Sequence, residues 1–370
     1  MHQIEIKVCR PIIKVLIEFE NVNPMIITNL LKPKLMNYTH FIGIDVSKLW
    51  LDFSVVSHGQ LVLQLQTDNS LTGIKSFIKK LRSQTDFNWI GFVFCMEHTG
   101  IYNNHLLDYL SKNKANICLE SGLQIKQSSG LKRGKNDKVD ADRIAMYCYK
   151  NREELKLWKP RREVLNHLKH LTTLRTRLIN ISKQLNTPIK ESSGYVEKKL
   201  QKYSEQICKQ SIKAVEKDLK YINNQIQLLI DEDPVLHRLF KIITSIAGIG
   251  PVTASQVMVA TNEFKDITCA KKFACYCGVA PFEHRSGSSI RGKTRVSHMG
   301  NKSLKTLLHM SALVASSCNL ELKEYYQRKV KEGKNKMSVL DAIRNKLILR
   351  IFACVNQNKL YEKKYQYSLV

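Results

Sequence analysis

The sequence predicts an α/β domain followed by a mainly helical region. Three observations carry this prediction. Between residues 40 and 150, β-rich apolar runs alternate with short amphipathic stretches. From 164 to 229, Leu, Ile and Val recur every three or four residues. Beyond 234, apolar positions keep helical spacing around a "GIGP" turn. At 370 residues the chain divides into several units. The boundaries fall at 36–155, 156–235, 236–330 and 331–370. Met36 opens "MNYTHFIGIDVSK" like a natural start, so residues 1–35 are expected to be a disordered upstream extension.

The elements follow in order. "FIGIDVSKLWLDFSVV" breaks at Ser47–Lys48 into two hairpin-paired strands, and "QLVLQLQ" alternates as a third. "SLTGIKSFIKKLRS" opens on a helix-capping serine. "WIGFVFCMEHTG" is continuous enough for a buried strand, "YNNHLLDYLSK" is a helix, "NICLES" a strand and "DKVDADRIAMYCYK" a helix. Three strands, helix, strand, helix, strand, helix is the order of the ribonuclease H-like fold. Val164 to Leu185 then forms one long amphipathic helix, with a break at Pro188 and "ESSGY". Val196 to Leu229 forms a second, giving an antiparallel hairpin or an intermolecular coiled coil. "ITSIAGIGPVTASQVMVA" fits a helix–hairpin–helix, in which Gly248 and Gly250 let a DNA phosphate reach the amides of the following helix. A tight turn between core helices explains the same residues. "NKSLKTLLHMSALVASS" and "SVLDAIRNKLILRIFACV" are helices, and the tail "KLYEKKYQYSLV" is expected to be disordered.

Charge narrows the partners. Lys and Arg number 59 against 32 Asp and Glu, a net charge of +27. Such an excess repels itself unless a polyanion offsets it, so nucleic acid leads. No stretch approaches the roughly 20 apolar residues of a membrane-spanning helix, and no membrane association is expected. The ten cysteines are scattered and no secretory segment precedes them. They read as reduced, in a cytoplasmic protein. Cys269, Cys275 and Cys277 fit no common zinc spacing and are expected to be core residues.

Four acids stand out. Asp45 lies in the first strand, Glu97 ends the strand "FVFCME", and Asp137 and Asp140 open the helix of "KNDKVDADR". Spacing i, i+3 puts the last two on one face, while Asp142 points away. Acids at buried strand ends are costly unless a cation offsets them, and hard divalent ions suit oxygen ligands. In the ribonuclease H-like fold such acids converge on two Mg²⁺ about 4 Å apart. Taken singly, Asp45 could cap a turn, Glu97 could be an exposed strand end, and Asp137 and Asp140 could be acids favoured by the helix dipole.

"HRSGSSIRGKTRVSH" (284–298) sets three serines among Arg285, Arg291, Lys293 and Arg295 with no acid. By itself it reads as a loop gripping phosphates. The run Lys132, Arg133 and Lys135 adds a second basic contact for nucleic acid.

These pieces together resemble the DEDD transposases of the IS110 insertion-sequence family, related to the Piv and MooV invertases. "GIDVSK", "MEHTGIY" and "KNDKVDADRIA" match a RuvC-like half. "AGIGPVTA", "CGVAP" and "SGSSIRGKTRVSHMGNKSLKTLL" match a C-terminal transposase half. The resemblance spans about residues 40–320. It implies that Asp45, Glu97, Asp137 and Asp140 hold two Mg²⁺, and that Ser286, followed by Gly287, is a nucleophile in a composite site built by the two halves. Ser288 and Ser289 stay open as alternatives. The implied activity is strand transfer between donor and target double-stranded DNA through a covalent phosphoserine. A structured guide RNA would supply sequence specificity, and the 160–235 helices would assemble dimers into tetramers. The implied setting is a bacterial cytoplasm, at the nucleoid. Two other classes remain: a RuvC-like junction resolvase using metal and water, and a non-catalytic nucleic-acid-binding remnant.

Overall fold

The computed structural model describes residues 38–128, 137–286 and 290–362, with backbone alone at 137–138, 284–286, 290–291 and 293. The expected extension 1–35 lies outside the described residues, as do Lys132, Arg133, Lys135, Gly287, Ser288 and Ser289. The described residues form two compact units that divide between Pro160 and Arg161.

The first unit is built on a five-stranded sheet. Its strands are β1 (His40–Val46), β2 (Trp50–Ser57), β3 (Gln60–Asp68), β4 (Phe92–Glu97) and β5 (Asn116–Glu120), in the order β3-β2-β1-β4-β5. The first three pair antiparallel, while β4 and β5 add on parallel. This is the ribonuclease H-like arrangement. Strand alternation separates two apolar faces. Ile42, Ile44, Phe53 and Phe94 meet helices α1 (Leu71–Gln84) and α2 (Asn104–Lys112) through Phe77, Leu81 and Leu110. Ser70 caps α1 by accepting from the amide of Gly73 at 3.1 Å. Phe41, Val93, Cys95 and Cys118 face the other way. They pack with Ile125 of the short α3 (Gly122–Ser128) and with Ile144 and Cys148 of α4 (Asp137–Lys150).

Gly43 sets how closely α4 lies on β1. A methyl group there would collide with the carbonyl oxygen of Ala141 and the amide of Ala145. The helix backbone therefore rests on the bare α-carbon, which small residues one turn apart on α4 allow. Phe41, at the start of β1, meets Tyr149, near the end of α4, edge-to-face at 5.4 Å. The helix thus runs back along the strand and delivers its N-terminal acids to the Asp45 end.

The second unit begins with an antiparallel pair, α5 (Glu163–Glu191) and α6 (Lys198–Glu232). The helix does not break at Pro188 as expected; it continues to Glu191, and Ser192 donates back to the Pro188 carbonyl at 2.9 Å. A proline so near the end of a helix forfeits only one backbone bond. Helices α7 (Pro234–Thr244), α8 (Pro251–Thr261), α9 (Ala270–Tyr276), α10 (Lys302–Cys318), α11 (Leu320–Lys331) and α12 (Lys336–Asn356) complete it. Leu165 and Leu168 of α5 and Ile230 of α6 share one core with Val257, Leu308, Ile343 and Leu347.

Arg162 ties three turns together. It donates to both carboxylate oxygens of Asp233, the N-cap of α7, at 2.7 and 2.8 Å, and to Glu263 at 2.9 Å. Glu263 sits in a run of three left-handed residues, Asn262 to Phe264, with its side chain 1% exposed. Arg162 holds the Asp233 carboxyl down at about 2. Burial pushes Glu263 up, but hydrogen bonds from Arg162 and Lys265 outweigh it and keep the carboxyl below its usual range.

Three further expectations change. The tail is seated as far as it is described: the amide of Tyr361 donates to Ser245 Oγ at 2.8 Å, and Arg350 lies over the Tyr361 ring at 5.1 Å. Residues 363–370 fall outside the described residues. Of the cysteine cluster, only Cys277 is buried; Cys269 and Cys275 are exposed. The serine-rich stretch is a hairpin, β6 (Pro281–Ser286) with β7 (Ile290–Val296).

Candidate active site

In the first unit, strand register lines up carboxylates at one end of the sheet. Asp45 on β1 stands directly opposite Asp52 on β2. The β1–β4 register runs to Ile44 opposite Met96, so Asp45 and Glu97 follow as the next positions. Glu97 in turn pairs with Glu120 on β5. All four occupy the α4 face, since Ile44 and Met96 between them belong to the other core. The row is therefore Asp52, Asp45, Glu97, Glu120 across four adjacent strands.

Each carboxylate has its own setting. Asp52 is buried and accepts from Gln66 Nε2 at 3.0 and 3.2 Å. The Glu97 carboxylate lies over Gly122, at the start of α3, in space that a methyl group would fill. Its backbone carbonyl accepts from Asn103 Nδ2 at 3.0 Å. Glu120 lies near Cys118 Sγ, at 3.8 Å, and the Tyr147 hydroxyl is pushed up to about 12 by burial and then by the Glu120 charge. Asp140 accepts from Arg143 Nη1 at 2.6 Å, one helical turn on. Asp142 faces β2 and β3, accepting from Ser54 and, at 2.8 Å, from Gln64. Asp137 opens α4, with its backbone described.

The sheet brings Asp45 and Glu97 side by side, and α4 adds Asp140 at the same end. Among the described residues, no three His, Cys, Asp or Glu side chains close to metal-binding distance. The donor set still fits a hard divalent cation. It is oxygen-only, and the bare α-carbon of Gly122 leaves room for the Glu97 carboxylate at the edge of the site. Asp52, Glu120, Arg143, Gly43 and Gly122 were not singled out from the sequence. Only the pairing of Gly43 with Ala141 and Ala145, spaced i, i+4, leaves a signal there.

In the second unit, Ser286 ends β6 and pairs with Ile290, the first residue of β7. The register pairs position 285 with 291 on one face of the ribbon and 286 with 290 on the other, and a register shift between Phe282 and His284 breaks the alternation towards 295. The hairpin is gripped at its root. Gly278, at φ +63°, and Gly300 approach so closely that a methyl on Gly300 would strike the Gly278 backbone. Asn301 donates to the Tyr276 carbonyl at 2.8 Å and caps α10 through the Leu304 amide at 3.0 Å. Gly248, at φ +93°, lies against Ser311 and Ala315 of α10, where no side chain fits. Gly250 precedes α8 with open space where its side chain would be.

Two transposase family models match the chain, one over residues 42–191 and one, described as the IS116/IS110/IS902 transposase family, over 240–327. The chain belongs to the IS110 family of transposases. The first match spans Asp45, Glu97, Asp137 and Asp140, and the second spans Ser286 and both strands of the hairpin. The pilin gene-inverting protein of Moraxella bovis is 27% identical over 328 residues, covering 88% of this transposase and 98% of that protein. Its counterpart from Moraxella lacunata is 28% identical over 330 residues with the same coverage. A 43.6 kDa protein of insertion element IS110 from Streptomyces coelicolor is 28% identical over 154 residues, 42% of this chain and 37% of that one. RuvC of T. thermophilus, in complex with a Holliday junction substrate, aligns over 33% of the transposase and 100% of its own chain, at 14% identity and a TM-score of 0.26. As an IS110-family transposase the protein is a DNA-recombining enzyme. Among the described residues no helix is long and apolar enough to cross a membrane.

Proposed function

We propose that this transposase cuts and rejoins DNA through a covalent serine intermediate. The reading rests first on the carboxylate row, in which Asp45 and Glu97 sit on neighbouring strand ends with α4 bringing Asp140 to the same end. Asp45, Glu97, Asp137 and Asp140 would hold two divalent ions, Mg²⁺ by preference for oxygen donors. Such ions, when bound, stabilise charge on the attacking and leaving oxygens of a phosphodiester.

Ser286 is the proposed nucleophile. Its oxygen forms a bond to phosphorus as the bond to one strand oxygen breaks, and the departing strand takes up a proton. The exchanged strand's hydroxyl then attacks the phosphoserine and releases Ser286, so no external energy source is consumed. Arg285, Arg291, Lys293 and Arg295 of the same ribbon grip backbone phosphates, as do Lys132, Arg133 and Lys135. Gly287 lets the DNA backbone come close. At Gly248 and Gly250 the amides of α8 take another phosphate, consistent with the open space at Gly250.

The net charge of +27 suits both donor and target duplexes and a structured guide RNA that carries the sequence choice. Leu200, Tyr203 and Ile207 lie along one side of α6, 55–63% exposed, which supports pairing of copies into dimers and then tetramers. The enzyme would work at the nucleoid, in the bacterial cytoplasm.

The test is covalent capture. The protein is incubated with nicked duplex DNA of the element's end and Mg²⁺, denatured, and run on a gel. A DNA-shifted band lost in Ser286→Ala and in Asp45→Asn supports the reading. Cleavage that persists in Ser286→Ala would replace it with a metal-and-water resolvase.

A further inference from the structure

Towards the turn of the β2–β3 hairpin, at the far end of β2 from Asp52, α4 lines a cavity of about 360 Å³. Val56, Leu61, Val139 and Met146 give it apolar walls, while Arg143 and Lys150 bring positive charge. Asp142 also borders it, but one of its oxygens already accepts from Ser54 and Gln64. The volume suits a small organic ligand. Apolar walls with two cations suit one nucleotide of a strand, its base against Met146 and its phosphate at the rim.

Arg143 belongs to two places at once. It borders this cavity, and its Nη1 lies 2.6 Å from Oδ1 of Asp140. Both side chains are largely shielded, 19% and 30% exposed. An ion bound to that same oxygen would sit roughly 4–5 Å from the guanidinium, and two cations so close repel. Asp140 therefore cannot serve Arg143 and a divalent ion equally well. A phosphate is the better partner for a guanidinium, because it accepts two parallel hydrogen bonds.

We propose that Arg143 guards the metal site: paired with Asp140 it holds the carboxylate back, and a nucleic-acid phosphate at the cavity draws it away. Metal loading and substrate docking are then linked through one side chain. This rests on the reading of Asp140 as a metal ligand, and it adds a role that the tetrad does not contain. By linkage, nucleic acid must tighten metal binding and metal must tighten nucleic-acid binding by the same factor.

The experiment uses full-length protein and Mn²⁺, whose unbound fraction is read by electron paramagnetic resonance, with and without duplex DNA. Wild type should bind Mn²⁺ more tightly when DNA is present. Arg143→Gln without DNA should bind roughly 5-fold more tightly than wild type, and DNA should add little further. Arg143→Lys keeps the charge and should stay near wild type without DNA. The proposal is overturned if Arg143→Gln binds Mn²⁺ no better than wild type, or if Gln and Lys gain equally. Should wild type bind no Mn²⁺ that depends on Asp45, the metal reading itself falls and takes this inference with it.

Discussion

Gly43 and Ala145 hold strand β1 and helix α4 in backbone contact, with no side chain between them. This one approach places the N-terminal acids of α4 at the Asp45 end of the sheet. A single methyl group tests it. Gly43→Ala forces the helix off the strand, an overpacking that costs about 1–3 kcal/mol. Urea unfolding should show that loss, and Mn²⁺ affinity should fall with it because Asp140 moves relative to Asp45. Retained stability with unchanged metal binding would mean that the contact positions nothing.

Gly122 makes a narrower prediction. A methyl group there meets first the end of the Glu97 side chain, which can swing aside. Gly122→Ala should therefore leave stability within about 1 kcal/mol of wild type. Displacing a ligand carboxylate should weaken Mn²⁺ binding by about 10-fold or more, the range seen when the support of a metal ligand is disturbed. Calorimetric titration beside a melting curve separates the two effects.

What was legible in the sequence follows from what each feature depends on. The strands announce themselves because β4 is an unbroken apolar run and β3 alternates. The long helices do so because their stripe repeats over many turns. Asp52 and Glu120 were invisible for a different reason: only strand register sets them beside Asp45 and Glu97, and register is a long-range property. The hairpin of β6 and β7 was hidden because its polar, basic composition lacks the apolar alternation of a half-buried strand. Tyr361 looked like part of a charged tail, yet a hydrogen bond and a stacked arginine hold it. Asp45, Glu97, Asp137 and Asp140 stood out because they are chemically conspicuous. Gly43, Gly122 and Arg143 were missed because their roles lie in what they touch.

Arg162 predicts a stability defect in the second unit. Arg162→Gln leaves Glu263, 1% exposed, with Lys265 as its remaining cation partner. Removing one member of a fully buried pair costs about 3–5 kcal/mol, and partial exposure of Arg162 lowers this to about 2 kcal/mol. Thermal unfolding followed by circular dichroism is the measurement, and a change under about 0.5 kcal/mol would contradict the assignment.

The same cluster sets an acid limit. Asp233 is held at about 2 and Glu263 below its usual range, so both are lower folded than unfolded. Groups of this kind stabilise the fold fully above their unfolded values, and the contribution disappears as pH falls through the folded ones. Stability should therefore be level above about pH 5 and decline from about pH 4 towards pH 2. Arg162→Gln should flatten that decline, since it removes the main cause of both shifts. An acid transition identical in wild type and variant would show that other carboxylates govern it.

Gly300 tests how the proposed nucleophile is delivered. The hairpin that ends in Ser286 emerges between Gly278 and Gly300, whose backbones lie too close for any side chain. A methyl group on Gly300 must push the two apart, and a small rotation at the root grows along the ribbon towards its turn. Misplacement of a reacting atom by about 1 Å is enough to cost roughly 100-fold in rate. Gly300→Ala should therefore lower the yield of the serine–DNA adduct by about that factor, while Mn²⁺ binding in the first unit is unchanged. Gly292, in the middle of β7, offers the control: its position is exposed, and Gly292→Ala should retain adduct formation. If Gly300→Ala forms adduct as fast as wild type, the glycine pair at the root does not position Ser286.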